Sequence, residues 1–170
     1  MQERHLDRQR YFHELENTSR EFYVKYLATQ QHITAQSKVL EVGCGDGGNL
    51  VPFAEMGCTV TGMDIAQCRI NDAQTYFKQV SPKATFTCCD FLACTPPTDT
   101  DDKYDVILLH DVIEHINQKA DFLKQLKAFL KLFLPTNCRN DLLQVYCLFY
   151  NLSYHHLLMG HRLAYKKVQA

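Results

Sequence analysis

Val39-Leu40-Glu41-Val42-Gly43-Cys44-Gly45-Asp46-Gly47-Gly48-Asn49-Leu50 reads as an apolar strand running straight into a glycine-dense turn. Four of the seven glycines in the chain fall between Gly43 and Gly48. Glycine lacks a Cβ, so such a turn can adopt positive φ and let a ligand approach bare backbone. Residues 49–56 then read as helix, which points the N–H groups of a helix N-terminus at whatever the turn cradles. The stretch is that of a nucleotide-type cofactor site.

Working outward, apolar runs and helical periods alternate: strand 38–43, helix 47–56, strand 59–64, helix 66–79, strand 84–89, strand 104–110 and helix 117–131. Alternation of this kind implies right-handed crossovers and an α/β fold, a Rossmann-like parallel sheet with flanking helices. Tyr11, Phe12, Leu15, Phe22, Tyr26 and Leu27 recur at mostly helical spacing before the sheet. They predict one or two amphipathic helices, either packed on the domain or lying over the cleft as a lid. Pro96-Pro97 and the polar run after them read as a solvated loop.

Composition narrows the class. Of 170 residues, 46% are hydrophobic and 22% charged, the balance of a soluble globular domain large enough for a sizeable core. A net charge of −1 leaves no electrostatic footprint for nucleic acid. Met1-Gln2-Glu3-Arg4-His5 lacks the apolar core of a secretory signal, and no long apolar run suggests a membrane span. A cytoplasmic protein is expected, with its eight cysteines reduced and acting as small hydrophobes.

The turn itself admits two cofactor classes. Gly43, Gly45 and Gly48 satisfy G-x-G-x-x-G with Asp64 about 20 residues on, the dinucleotide fingerprint of an NAD(P)-dependent oxidoreductase. The same run also reads E-x-G-x-G-x-G from Glu41, which resembles the cofactor loop of class I S-adenosylmethionine (SAM)-dependent methyltransferases. A pyrophosphate needs uncompensated N–H groups and no nearby anion, whereas SAM carries an amino group and a sulfonium. Glu41 and Asp46 place carboxylates beside the loop, which suits the cationic ligand, although Asp46 also reads as a solvated charge.

Later strand ends fit the same resemblance. Asp64 closes the second strand, where it can accept from a ribose diol in the crevice at the carboxyl edge of an open sheet. In the family, an acid after the third strand accepts from the adenine amino group, and apolar neighbours pack on the ring; Asp90 and Phe91 stand there. The resemblance implies a cofactor set of Glu41, Gly43, Cys44, Gly45, Gly47, Asp64, Ile65, Asp90, Phe91, Leu109 and His110, with SAM as the cofactor and a small-molecule methyl acceptor. No further hydride-transfer signature supports the oxidoreductase alternative.

The fourth strand delivers His110-Asp111-Val112-Ile113-Glu114-His115, where the acceptor should lie. The Asn/Asp-Pro-Pro-Tyr motif of base and amide methyltransferases is absent. The string resembles the E-x-x-E-H of small-molecule O- and C-methyltransferases of the quinone-biosynthesis type. His110 and His115 are the catalytic candidates, as a general base or an acceptor-orienting group. Two other readings stay open: Asp111, Glu114 and His115 converging on a divalent metal, and plain structural capping.

After Lys131 the resemblance stops. Residues 131–170 hold five Lys/Arg against one acid, where the first 130 hold thirteen against eighteen, and no glycine lies between Gly62 and Gly160. The family's Pro-Gly-Gly-like turn into a fifth strand is missing. The chain therefore divides into an N-terminal helical segment 1–34, a SAM-binding core 35–131 and a divergent apolar and basic tail 132–170. Terminal strands are expected to be missing or replaced, with a helix over 140–159. Self-association through the tail or an exposed sheet is an expected consequence. An altered or truncated form, inactive with or without residual SAM binding, is the rival to an active enzyme.

Overall fold

The computed structural model describes residues 7–31, 33–78, 80–81, 83–131 and 146–148. Strands β1 (Lys38–Val42), β2 (Thr59–Asp64), β3 (Ala84–Cys88), β4 (Val106–His110) and β5 (Tyr146–Leu148) form one sheet in the order β3-β2-β1-β4-β5. Every pairing is parallel, with Val42 beside Met63 on one side and beside Leu109 on the other. The chain steps outward from β1 to β3 and then returns to place β4 against β1. That reversal leaves a crevice at the carboxyl ends of β1 and β4, where open α/β sheets bind ligands.

Helices cover both faces, which is why Val39–Val42, apart from Glu41, and Val106–Leu109 read as apolar runs. On one face Val39, Val60, Val106 and Leu108 pack with Leu50, Val51 and Phe53 around α3 (Val51–Glu55), and with Ile70, Ala73 and Phe77 of α4 (Gln67–Phe77). On the other, Leu40, Val42, Ile107 and Leu109 meet Phe122, Leu126 and Phe129 of α5 (Lys119–Phe129). Strand alternation puts Glu41 and His110 on the first face.

The N-terminal segment is one continuous helical path. α1 (Arg8–Thr18) begins where the Asp7 side chain accepts from the Arg10 N–H, passes through a π-helical stretch Ser19–Val24, and continues as α2 (Lys25–Gln31). Phe12, Leu15, Ser19, Tyr23 and Leu27 are all buried. Of the two readings of this segment, the structure shows the helix packed on the domain, with three of its residues in the main core.

Expected and observed elements agree within a few residues at each boundary. The main differences are local. The helix expected over 47–56 begins with a 3₁₀ turn at Gly48–Leu50, so α3 proper is five residues long. The helix expected over 140–159 is corrected at Tyr146–Leu148, which pair in parallel with Leu108–His110. The physical reason is the outer edge of β4, whose backbone groups need partners that a strand supplies and a helix does not. The rest of that expectation lies outside the described residues.

Gly48 shows how closely α1 rests on the glycine turn. A Cβ there would lie 2.5 Å from the Phe12 carbonyl oxygen and 2.9 Å from Leu15 Cβ. Gly48→Ala should therefore destabilise the fold by about 1–3 kcal/mol through overpacking against backbone. Urea denaturation checks this, with a lower midpoint expected.

Candidate functional site

The site grows from the turn between β1 and α3. Gly43, Gly45 and Gly47 adopt φ of 72°, 54° and 85°, which lets five residues double back above the sheet. β1 and β2 lie in register, so the turn meets the end of β2. Gly43 and Cys44 donate to the Met63 carbonyl at 2.7 and 3.0 Å, and Gly47 donates to the Cys44 carbonyl at 2.9 Å. Gly45 donates to Asp64 Oδ2 at 2.9 Å. Four N–H groups of the turn are thus satisfied within the protein, which leaves a poor cradle for a pyrophosphate.

Asp64 divides its carboxylate between two segments, since Oδ1 accepts from the Ala66 N–H at 2.8 Å. Each oxygen keeps a second acceptor position, enough for a vicinal diol. The next side chain, Ile65, is 78% exposed, an apolar surface standing beside that acid. A Cβ built on Gly45 meets nothing within 4 Å, so the turn is open above this residue.

Glu41 is buried, and its Oε1 accepts from Asn49 Nδ2 at 2.7 Å. Its Oε2 and the Asn49 Oδ1 are both buried without a partner. Burial pushes the Glu41 carboxyl up to about 8, partly opposed by the Asn49 hydrogen bond and reinforced by the charge of Asp64. Two unpartnered acceptors side by side are the complement of a ligand that brings N–H donors and positive charge.

Asp46 has a different fate from either sequence reading. It is buried and paired with Arg8 at 2.7 Å and Arg69 at 3.0 Å, which ties the turn to α1 and α4. Its charge is neither solvated nor available to a cationic ligand.

At the β3 end, Asp90 is exposed and its Oδ1 accepts from the Leu92 N–H at 3.0 Å, capping a 3₁₀ turn Phe91–Ala93. Phe91 is buried, with its ring 4.9 Å from that of Phe129 and 5.4 Å from that of Phe122. That ring is part of the core, so it is not a surface on which an adenine could stack. Leu109 is buried in β4 beneath the crevice.

His110 ends β4 with its Nδ1 3.1 Å from the Tyr23 hydroxyl and its Nε2 3.5 Å from Asp111 Oδ2. Tyr23 was not among the apolar positions read from the sequence. Tyr23 follows Phe12, Leu15 and Ser19 at helical spacing, but the polar Ser19 interrupts the apolar stripe and the neighbouring Phe22 and Tyr26 compete with it. Asp111 takes φ of 52°, unusual for a residue with a side chain. The chain then makes a 3₁₀ turn at Ile113–His115, with Glu114 and His115 exposed. Asp111, Glu114 and His115 do not share an α-helical turn. Among the described residues no three His, Cys, Asp or Glu side chains gather as a metal set.

The family model described as "Methyltransferase domain" matches residues 40–132. The chain is similar to the ubiquinone biosynthesis O-methyltransferase of Coxiella burnetii (strain RSA 493 / Nine Mile phase I), at 30% identity over 122 residues, 69% of this chain and 50% of that protein. It is 28% identical over 111 residues to the enzyme of the same name from Rickettsia felis, covering 65% of this chain and 44% of that one. The chain thus spans about half or less of the length of these curated relatives. In fold it is similar to magnesium protoporphyrin IX methyltransferase from Synechocystis PCC 6803 with bound SAM, at a TM-score of 0.56 and 23% identity, over 68% of this chain and 54% of that one.

Glu41 offers a test that needs no ligand. Its raised value means that the folded chain binds a proton that the unfolded chain releases between about pH 4.5 and 8. Stability should fall as pH rises through that window, by at most about 1.4 kcal/mol per pH unit. Glu41→Gln should flatten the dependence relative to the unmodified chain, as read from urea midpoints at three pH values in the window.

Proposed function

The chain belongs to the methyltransferase-domain family, and from that premise we propose that it binds SAM and transfers its methyl group to the oxygen or carbon of a small-molecule acceptor. The observation that carries the proposal is the buried, unpartnered oxygen of Glu41 beside the unpartnered Asn49 Oδ1, at a glycine turn with four of its own N–H groups taken. That pattern calls for a cation, and it disfavours the pyrophosphate that an NAD(P) enzyme would place there.

Glu41 and Asn49 would receive the amino group, Asp64 the ribose hydroxyls and Asp90 the adenine amino group, with Ile65 covering the ring. Bound there, SAM supplies a methyl group already activated on a sulfonium, so positioning provides most of the advantage. His110 would take the acceptor's proton at Nε2, with Asp111 Oδ2 3.5 Å away to stabilise the imidazolium and Tyr23 holding Nδ1. His115, exposed on the following turn, would orient the acceptor.

The names of the curated relatives support an O-methylation of a phenolic or quinone-like acceptor. The missing glycine turn and the basic swing after Lys131 support a second reading, in which this chain binds SAM without transferring the methyl group. The proposed division is a helical segment 1–34, a SAM-binding core 35–131 and a tail 132–170, of which only 146–148 is described after Lys131. No helix among the described residues is long and apolar enough to cross a membrane. Cys44, Cys58, Cys68, Cys88, Cys89 and Cys94 are free thiols, which supports a reducing compartment such as the cytoplasm.

Calorimetric titration should show binding of SAM or S-adenosylhomocysteine and none of NAD. Asp64→Ala should weaken that binding by about 1–3 kcal/mol, through loss of hydrogen bonds to an ionised group. Gly45→Ala should weaken it by filling the open side of the turn, at a fold cost of about 1–2 kcal/mol for a side chain held at positive φ. Unchanged affinity in both variants would sink the assignment. Binding without methyl transfer to any phenolic acceptor tried would favour the second reading.

A further inference from the structure

Cys89 and Cys94 bracket the turn that carries Asp90, and nothing in the proposed chemistry uses them. Their sulfurs lie 3.0 Å apart, and both residues are partly exposed. The neighbouring thiol of Cys88 points elsewhere, to the Ile65 carbonyl at 3.4 Å. The pairing is built by the backbone. Cys89 donates its N–H to the Asp64 carbonyl at 3.0 Å, and Gln125 Nε2 holds the Cys94 carbonyl at 2.5 Å and the Phe91 carbonyl at 3.2 Å. Phe91 is anchored in the core between them, so the 3₁₀ turn folds Cys94 back onto Cys89.

We propose that Cys89 and Cys94 form an oxidisable dithiol whose closure to a disulfide lowers cofactor affinity by disturbing Asp90; the effect on affinity rests on the SAM-binding reading above. Disulfide sulfurs sit about 2.05 Å apart, so the pair must close by about 1 Å. Both flanking backbones and Phe91 are held, which leaves Asp90, Leu92 and Ala93 to absorb the movement. Asp90 is the first of these, and the orientation of its carboxylate depends on the hydrogen bond to Leu92 within the same turn.

A small-molecule disulfide such as oxidised glutathione is a sufficient oxidant. One protein thiolate attacks it and expels the first glutathione as a thiol. The second protein sulfur then attacks the mixed disulfide and expels the other. Two S–H bonds are lost and one S–S bond forms, with two electrons and two protons passing to the glutathione pair. Burial first, and then the neighbouring Cys94, push the Cys89 thiol up to about 12, so its thiolate is scarce at neutral pH and closure is slow without sustained oxidation.

The test treats the purified chain with oxidised glutathione, maps crosslinks by peptide mass and titrates S-adenosylhomocysteine before and after. A Cys89–Cys94 crosslink lighter by two hydrogens is expected, with affinity reduced about fivefold or more and restored by dithiothreitol. Cys94→Ser should abolish both changes while keeping the affinity of the reduced chain, and Cys68→Ser should alter neither. Absence of that crosslink, or crosslinks only between other cysteines, overturns the dithiol. A crosslink with unchanged affinity overturns the switch. A reduced chain that binds no S-adenosylhomocysteine overturns the SAM reading, and with it the switch, while the mapped crosslink still decides the dithiol.

Discussion

Asp64 joins the two segments on which the crevice depends. Its carboxylate accepts from the Gly45 N–H at 2.9 Å and from the Ala66 N–H at 2.8 Å, one bond to each oxygen. Hydrogen bonds to an ionised acceptor are roughly twice as strong as neutral ones, so this clamp sets the path of the glycine turn before any ligand arrives. The pairing of Val42 with Met63 brings the turn within reach, and the Met63 carbonyl takes the two preceding N–H groups. From that path the other placements follow. The apex carries Asp46 toward Arg8 and Arg69, and Gly48 comes to rest beneath Phe12.

Three acids around one small turn have been stabilised in three different ways. Asp46 is neutralised by two arginines, Asp64 by two backbone N–H groups, and Glu41 has only a neutral amide. Burial therefore pushes the Glu41 carboxyl up with only that amide opposing it, and the nearby charge of Asp64 reinforces this. A positively charged ligand would reverse the balance by favouring the ionised form. The electrostatic preference for a cation is concentrated in one buried carboxyl whose protonation the ligand would change.

The sheet was legible because a parallel strand covered on both faces must be apolar throughout, and Val39–Val42 and Val106–Leu109 are, apart from Glu41. Asp64 and Asp90 were legible as acids closing such strands. Long-range partners were not. Arg8 and Arg69 stand 38 and 23 residues from Asp46, and nothing local announces that they meet it. Phe91 looked like a ligand-stacking ring because position alone was readable, whereas its contacts with Phe122 and Phe129 depend on where α5 docks. Tyr23 and Ser19 escaped because a polar Ser sits in the buried stripe while the apolar Phe22 and Tyr26 lie beside it.

The N-terminal helix closes one flank of the crevice and leaves the other open. It touches the site through Arg8 on Asp46, Ser19 on the Asn49 carbonyl and Tyr23 on His110. Lifting it would expose Phe12, Leu15, Tyr23 and Leu27, all buried now. At about 1.5–3 kcal/mol for each such apolar side chain, that cost is comparable with the whole stability of a small domain. A helix so committed does not open as a lid on its own. Ile65 and Asp90 face solvent at the β2 and β3 ends, Glu114 and His115 do so beyond β4, and a Cβ on Gly45 would meet nothing. The carboxyl edge of the sheet is therefore open to solvent without any movement of the helix, whose Tyr23 stays on Nδ1 of His110.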